Sequence, residues 1–132
     1  MFEWSSVLEL AEELARRDAT GEGAEAAWRA AASRAYFAAY NSAKDYLEDL
    51  ERWTPPRADS HQELFRCLER LTGHSKMHRQ LAAILTRLRH TRNRADYDRE
   101  PSLRQDAAKT ALLDAKKAFG LVDSLRTRRV PE

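Results

Sequence analysis

The chain has 132 residues, 42% of them hydrophobic and 33% charged, and a formal net charge of +2. That length suits one domain with one core, and the composition excludes a wholly disordered chain. The single cysteine, Cys67, excludes an internal disulfide and a Cys-based zinc site. No apolar run approaches the roughly 20 residues of a membrane helix. The opening MFEWSSVLEL is acidic and amphipathic, unlike a secretory signal, so a cytoplasmic location is expected with no membrane contact. Charge is unevenly spread. Residues 1–50 carry five basic and ten acidic side chains, and residues 51–132 carry eighteen and eleven; this reads first as two oppositely charged faces that keep a bundle soluble and help it self-associate, and otherwise as a second half that attracts a polyanion such as RNA.

Helix-favouring Ala, Leu, Arg and Glu dominate, and Gly and Pro are sparse. A first helix is predicted from about Trp4 to Arg17, with Trp4, Val7, Leu8, Ala11, Leu14 and Ala15 on its apolar face and Ser6 with Glu9 as a capping box. Thr20, Gly21 and Gly23 break the pattern. The second helix, about Ala24 to Arg52, repeats Trp28, Ala31, Ala35, Ala39, Ala43, Leu47 and Leu50 at three or four residues. Its alanines permit close approach of a neighbour, and Tyr36, Phe37, Tyr40 and Tyr46 read as core packing. Arg34 lies two positions before the first of those aromatics and could reach into a groove or into solvent.

Pro55 and Pro56 end this helix, and the loop 54–59 reads as the most mobile internal segment. Ser60 and Glu63 form a capping box for a third helix ending near Leu71, with Leu64, Phe65, Leu68 and Leu71 inward and Gly73 as its stop. A fourth begins near Ser75 and carries Leu81, Ile84, Leu85 and Leu88. Pro101, Ser102 and Gln105 restart the chain as a fifth helix, with Leu103, Ala107, Ala111, Ala115, Ala118, Val122 and Leu125 inward and Leu112 and Phe119 alongside. The tail RTRRVPE is basic and expected to fray over 126–132. The fold class is all-α: an antiparallel up-and-down bundle of four to five helices, one domain over 1–132.

The most unusual placement is in RLRHTRNRADYDR, residues 87–99. Arg92 falls four residues after Leu88, on the apolar stripe, where a guanidinium needs a carboxylate, carbonyl or phosphate for its donors. Two readings of Arg92, Asn93, Asp96 and Tyr97 stay open: an internal cluster in which Arg92 pairs with Asp96, or an anion site with Arg92 aimed at a phosphate. Other chemistry lacks parts. No Glu precedes a His by three residues, so a carboxylate-bridged di-iron site is absent. His74 and His78 stand four apart with no Asp or Glu beside them, so no metal is expected. There is no G-x-S-x-G elbow and no phosphate-cradling Gly-rich loop.

SRAYFAAYNSAKDYL, His61 at the start of the third helix, and LRHTRNRADYD together resemble HEPN domains (higher eukaryotes and prokaryotes nucleotide-binding). The likeness is strongest to small bacterial members with an R-N-x-A-D-Y segment and covers about residues 5 to 125. It implies a helical bundle that forms a homodimer, needs no cofactor, and acts as a metal-independent endoribonuclease in toxin–antitoxin or phage-defence systems. It also implies a nucleotidyltransferase antitoxin as partner. Carried over, Arg92 matches the family arginine and Asn93 the polar residue after it. The family histidine would fall at 97–99, where this chain has Tyr97, Asp98 and Arg99. Tyrosine titrates near 10, so Tyr97 is a poor base, though it can donate a proton. Arg92, Asn93 and Tyr97 are therefore the candidate catalytic residues. Arg34, Arg89, Arg92 and Arg94 are the candidate nucleic-acid or anion-binding residues, with His61 and Asp96 in support and His61 or His90 as substitute histidines. The alternative is a non-catalytic HEPN module that binds a nucleotide or the nucleotidyltransferase. Tyr97 reads first as a packed ring hydrogen-bonded to Asp96 or a loop carbonyl, and otherwise as a site where the partner attaches nucleotide.

Overall fold

Alanine sets the spacing of the helices. The computed structural model describes residues 2–16, 22–51, 53–54, 60–72, 75–100 and 103–129. Five helices run through them: α1 (Ser5–Ala15), α2 (Glu22–Leu50), α3 (Ser60–Thr72), α4 (Lys76–Tyr97) and α5 (Gln105–Arg129). No described residue is in a strand. On α2, Ala31, Ala32, Ala35, Ala38, Ala39 and Ala43 have no exposed surface. With the buried Tyr36, Tyr40 and Leu47 they cover more than half of the helix circumference. α2 is therefore enclosed, packing against α1, α4 and α5, while α3 packs on α4.

Specific contacts fix the register. Ser33 meets Asp96, Tyr36 lies beneath Arg92, and Tyr46 reaches His78, so α2 and α4 run antiparallel. His61 on α3 stacks on Tyr40 of α2, and Arg89 lies over Phe65, so α3 descends antiparallel to α4. The chain leaves α2 at its far end and re-enters beside Tyr40, some ten residues back along that helix. That return brings the first turn of α3 to the half of α4 that carries Arg92.

Several local expectations change. Ser5 and Ser6 are already helical, and Trp4 is the residue before the helix, with no side-chain cap. Its indole Nε1 instead donates to Asp45 Oδ2 at 2.7 Å, so a tertiary bond fixes the start of α1 in place of the Ser6–Glu9 box. Phe37 is 42% exposed and not core. Tyr36 and Tyr40, one turn apart, take the inward positions, and Phe37 points about 100° away from Tyr36. α5 stays helical through Arg129, within the stretch expected to fray, and Arg126 pairs with Asp49 at 3.3 Å. Ser75 caps α4, its hydroxyl accepting from the Met77 N–H at 3.2 Å. The expectations for the Ser60 cap, the 55–59 loop, Gly73, His74, the Pro101–Ser102 restart and the tail beyond 129 fall outside the described residues and side chains.

The end of α4 is held by Arg29 of α2. A helix terminus leaves carbonyls with no partner in the helix. Arg29 Nη1 donates to the carbonyls of Arg94 (3.4 Å), Ala95 (3.2 Å) and Asp98 (2.7 Å), and Nη2 donates to that of Glu100 (2.8 Å). Its Nε donates to Glu25 at 2.8 Å, which orients the fork from its own helix. Asp98 adds a local turn, its carboxylate accepting from the Glu100 N–H at 3.1 Å. One side chain, 19% exposed, thus closes the last turn of α4 onto α2. Hydrogen bonds to a charged group contribute more than neutral ones, about 1.5–3 kcal/mol. Arg29→Met, which keeps the stem and removes the fork, is expected to lower stability by about 2 kcal/mol in urea denaturation. An unchanged midpoint would show that the fork does not hold this terminus.

Candidate functional site

The arginine and its neighbours form a ridge along the outer half of α4. Arg92 Nε pairs with Asp96 Oδ2 at 3.3 Å, and Arg92 Nη1 donates to Asn93 Oδ1 at 2.9 Å. Ser33 on α2 donates to the same Asp96 oxygen at 3.3 Å, which ties the cluster to the neighbouring helix. The guanidinium stands 5.6 Å from the Tyr36 ring centre and 5.9 Å from that of Tyr97. Its side chain is 26% exposed. Arg92 thus has its carboxylate, as the internal-cluster reading expects, and its Nη2 takes no acceptor among the described residues. Exposed pairs of this spacing contribute only about 0.3–0.5 kcal/mol, so the bond to Asp96 orients Arg92 more than it stabilises the fold.

One turn before Arg92, Arg89 lies 5.8 Å from the Phe65 ring centre, and none of its N–H donors meets an acceptor among the described residues. A groove of about 500 Å³ opens here between α3 and α4, lined by Gln62, Phe65, Arg66, Glu69, Thr86, Arg89, His90 and Asn93. His90 stands on its wall. Arg94 is two residues beyond Arg92, about 200° around the helix, so it does not join the ridge. Its backbone carbonyl joins the Arg29 latch. Arg34 makes no described contact with Arg92 and instead lies over the Phe37 ring at 5.3 Å.

His61 reaches the ridge from α3. Its Nδ1 shares a 2.6 Å hydrogen bond with the Tyr36 hydroxyl, and its ring stacks on Tyr40 with centres 4.0 Å apart. Burial lowers its pKa, and the positive fields of Arg89 and Arg92 lower it further. The imidazole is therefore neutral at pH 7. Burial also pushes the Tyr36 phenol far above its ordinary range, against the pull of Arg89 and Arg92, so Tyr36 keeps its proton. With Nδ1 engaged, Nε2 remains for a ligand: a proton acceptor in one tautomer and a donor in the other.

Tyr97 differs from its first reading. It is 71% exposed, with its ring near Arg92, and among the described residues it makes no hydrogen bond to Asp96 or a loop carbonyl. It is the last residue of α4, and the Arg29 latch directly behind it holds the chain in a turn that leaves its ring in water. Two participants carried little sequence signal. Arg29 bonds backbone carbonyls, which have no residue identity, and the cue was the unsatisfied end of α4 itself. Tyr36 reads as core and is core, yet its hydroxyl also orients His61. Among the described residues no group of three or more His, Cys, Asp or Glu is placed to hold a metal. No described helix is long and apolar enough to cross a membrane.

The electrostatics give a titration prediction. A His61 pKa below its unfolded value near 6.5 means that the unfolded chain binds more protons as pH falls, so stability declines on acidification below that value. In wild type the His61 imidazole signals should titrate below pH 6.5 in NMR, and Arg92→Ala should move the midpoint upward. A wild-type midpoint at or above the ordinary value would contradict the burial of the ring, and an Arg92→Ala midpoint equal to wild type would mean that Arg92 does not face it.

Among known families, the HEPN domain matches residues 6–125. No curated protein and no solved structure matches the chain. With the match running from the first turn of α1 to the last turns of α5, the chain belongs to the HEPN domain family.

Proposed function

We propose that this HEPN protein binds RNA through Arg89, Arg92 and Asn93 and cleaves it without a metal, in a toxin–antitoxin or phage-defence role. The observation that carries the reading is His61: a neutral histidine set beside the family arginine from another helix, where the chain lacks one at 97–99. In this scheme His61 adopts the tautomer whose Nδ1–H donates to the Tyr36 oxygen, and its Nε2 takes the proton of a ribose 2′-hydroxyl. That oxygen attacks the adjacent phosphorus, and the 5′ oxygen leaves, giving a 2′,3′-cyclic phosphate. Arg89 and Arg92 meet the charge that builds on the phosphoryl oxygens. The leaving oxygen also needs a proton donor. A second copy related by a two-fold axis would bring another His61 and Tyr97 to the same RNA, so a homodimer is part of the proposal.

Tyr97 supports a second reading, that of a module governed by a partner nucleotidyltransferase. Its hydroxyl is accessible and stands near a cation, so an attached nucleotide phosphate would sit where RNA phosphate is proposed to bind. The location proposed for both readings is the cytoplasm.

Single-stranded RNA is expected to bind with an affinity that falls steeply with salt. Arg92→Ala should weaken it, and Cys67→Ala should not. Cleavage, if it follows the scheme, should survive a chelator and disappear in His61→Ala while binding persists. Equal binding by wild type and Arg92→Ala would remove RNA from this site. On co-expression with a nucleotidyltransferase encoded beside this gene, intact mass should show an adduct on wild type and none on Tyr97→Phe. An unmodified wild type would leave Tyr97 outside regulation.

A further inference from the structure

The geometry points to a nucleobase-stacking platform at Phe37, which continues the Arg89–Arg92 ridge and makes single-stranded RNA the form this surface takes. This rests on the RNA reading above and adds to it where the bases go. Phe37 is 42% exposed and Phe2 58%. They flank Trp4 in a ladder of edge-on contacts, with centres 5.5 Å apart for Trp4 and Phe37 and 4.8 Å for Phe2 and Trp4. The Trp4 indole is pinned to Asp45, which keeps the ladder in place.

Charge and continuity select the occupant. Arg34 lies over Phe37 at 5.3 Å and meets no carboxylate among the described residues, so its donors are available to a phosphate beside a stacked base. Ser33, whose hydroxyl touches Asp96, is one turn before Phe37 on the same face of α2, about 6 Å away. The path from Arg92 through Asp96 and Ser33 to Phe37 is thus continuous. Asp96 on that path is already paired with Arg92, and beyond Trp4 the groove carries Glu3, Asp45, Asp49 and Asp123, so the strand ends on Phe37 and does not continue to Phe2. Cations spaced along aromatic faces are the physical requirement for sequence-tolerant single-strand binding. A duplex, with its bases stacked inside, offers nothing to Phe37.

Labelled hexa-adenylate RNA and an abasic strand of the same length separate the two claims. Wild type should bind the base-bearing strand roughly tenfold more tightly than the abasic one. Phe37→Ala should erase that difference, Phe37→Trp should retain it, and Arg92→Ala should weaken both strands alike. Arg34→Gln, a change at an exposed position, should reduce the slope of log affinity against log salt by about one phosphate contact. If Phe37→Ala keeps the preference while Arg92→Ala weakens both strands, the platform is wrong and the RNA site stands. If neither strand binds, both fall. If Phe37→Ala changes the oligomeric mass in light scattering and leaves base preference intact, the patch is a contact between copies and the proposal is overturned.

Discussion

The site depends on how the end of α4 is closed. Arg92, Asn93, Asp96 and Tyr97 lie in its last two turns, where a helix has fewest hydrogen bonds of its own. Left to itself that terminus would fray, and the geometry among these side chains would be lost. Arg29 prevents this by placing one guanidinium against four carbonyls from Arg94 to Glu100, with Glu25 holding it from behind. Ser33, one turn along the same helix, bonds the Asp96 carboxylate. α2 therefore acts as a splint for the functional end of α4, and its buried alanines bring the two helices close enough for short side chains to bridge them.

Against that splint the remaining groups are set by burial and charge. Tyr36 is buried and remains a phenol, so it fixes His61 by a hydrogen bond rather than by charge. Burial first, and then the fields of Arg89 and Arg92, keep that histidine neutral. The field of the two arginines that disfavours an imidazolium would favour a phosphate. This explains how a chain with Tyr97, Asp98 and Arg99 at the family's histidine positions still brings a histidine to its arginine: the return of the chain after α2 delivers His61 from α3.

The sequence makes the bundle legible because alanine and leucine spacing reports burial directly, and α2, α4 and α5 fall within a few residues of where periodicity places them. Arg92 stands out for the same reason, as a cation on an apolar stripe. What periodicity does not resolve is which of two adjacent aromatics faces inward, and so Phe37 reads as core beside Tyr36. Nor does it reveal bonds to backbone. Arg29 and Glu100 are 71 residues apart, and the bond goes to the Glu100 backbone carbonyl and not to its carboxylate. Tyr97 reads as a packed ring because the latch that turns the chain behind it is a tertiary feature. His61 is visible as a candidate, but its partner Tyr36, 25 residues earlier, is not.

The central claim is that Arg89, Arg92, Asn93 and His61, drawn from two helices and oriented by a third, form one surface for RNA phosphate. The most direct measurement is NMR mapping of the isotopically labelled protein with a short single-stranded RNA. The account predicts that the largest shifts fall on the Arg92 and Arg89 side-chain N–H groups, the Asn93 amide and the His61 ring. Shifts confined to the groove between α4 and α5, around Gln80, Lys117 and Gly120, with the Arg92 and His61 signals unmoved, would contradict it.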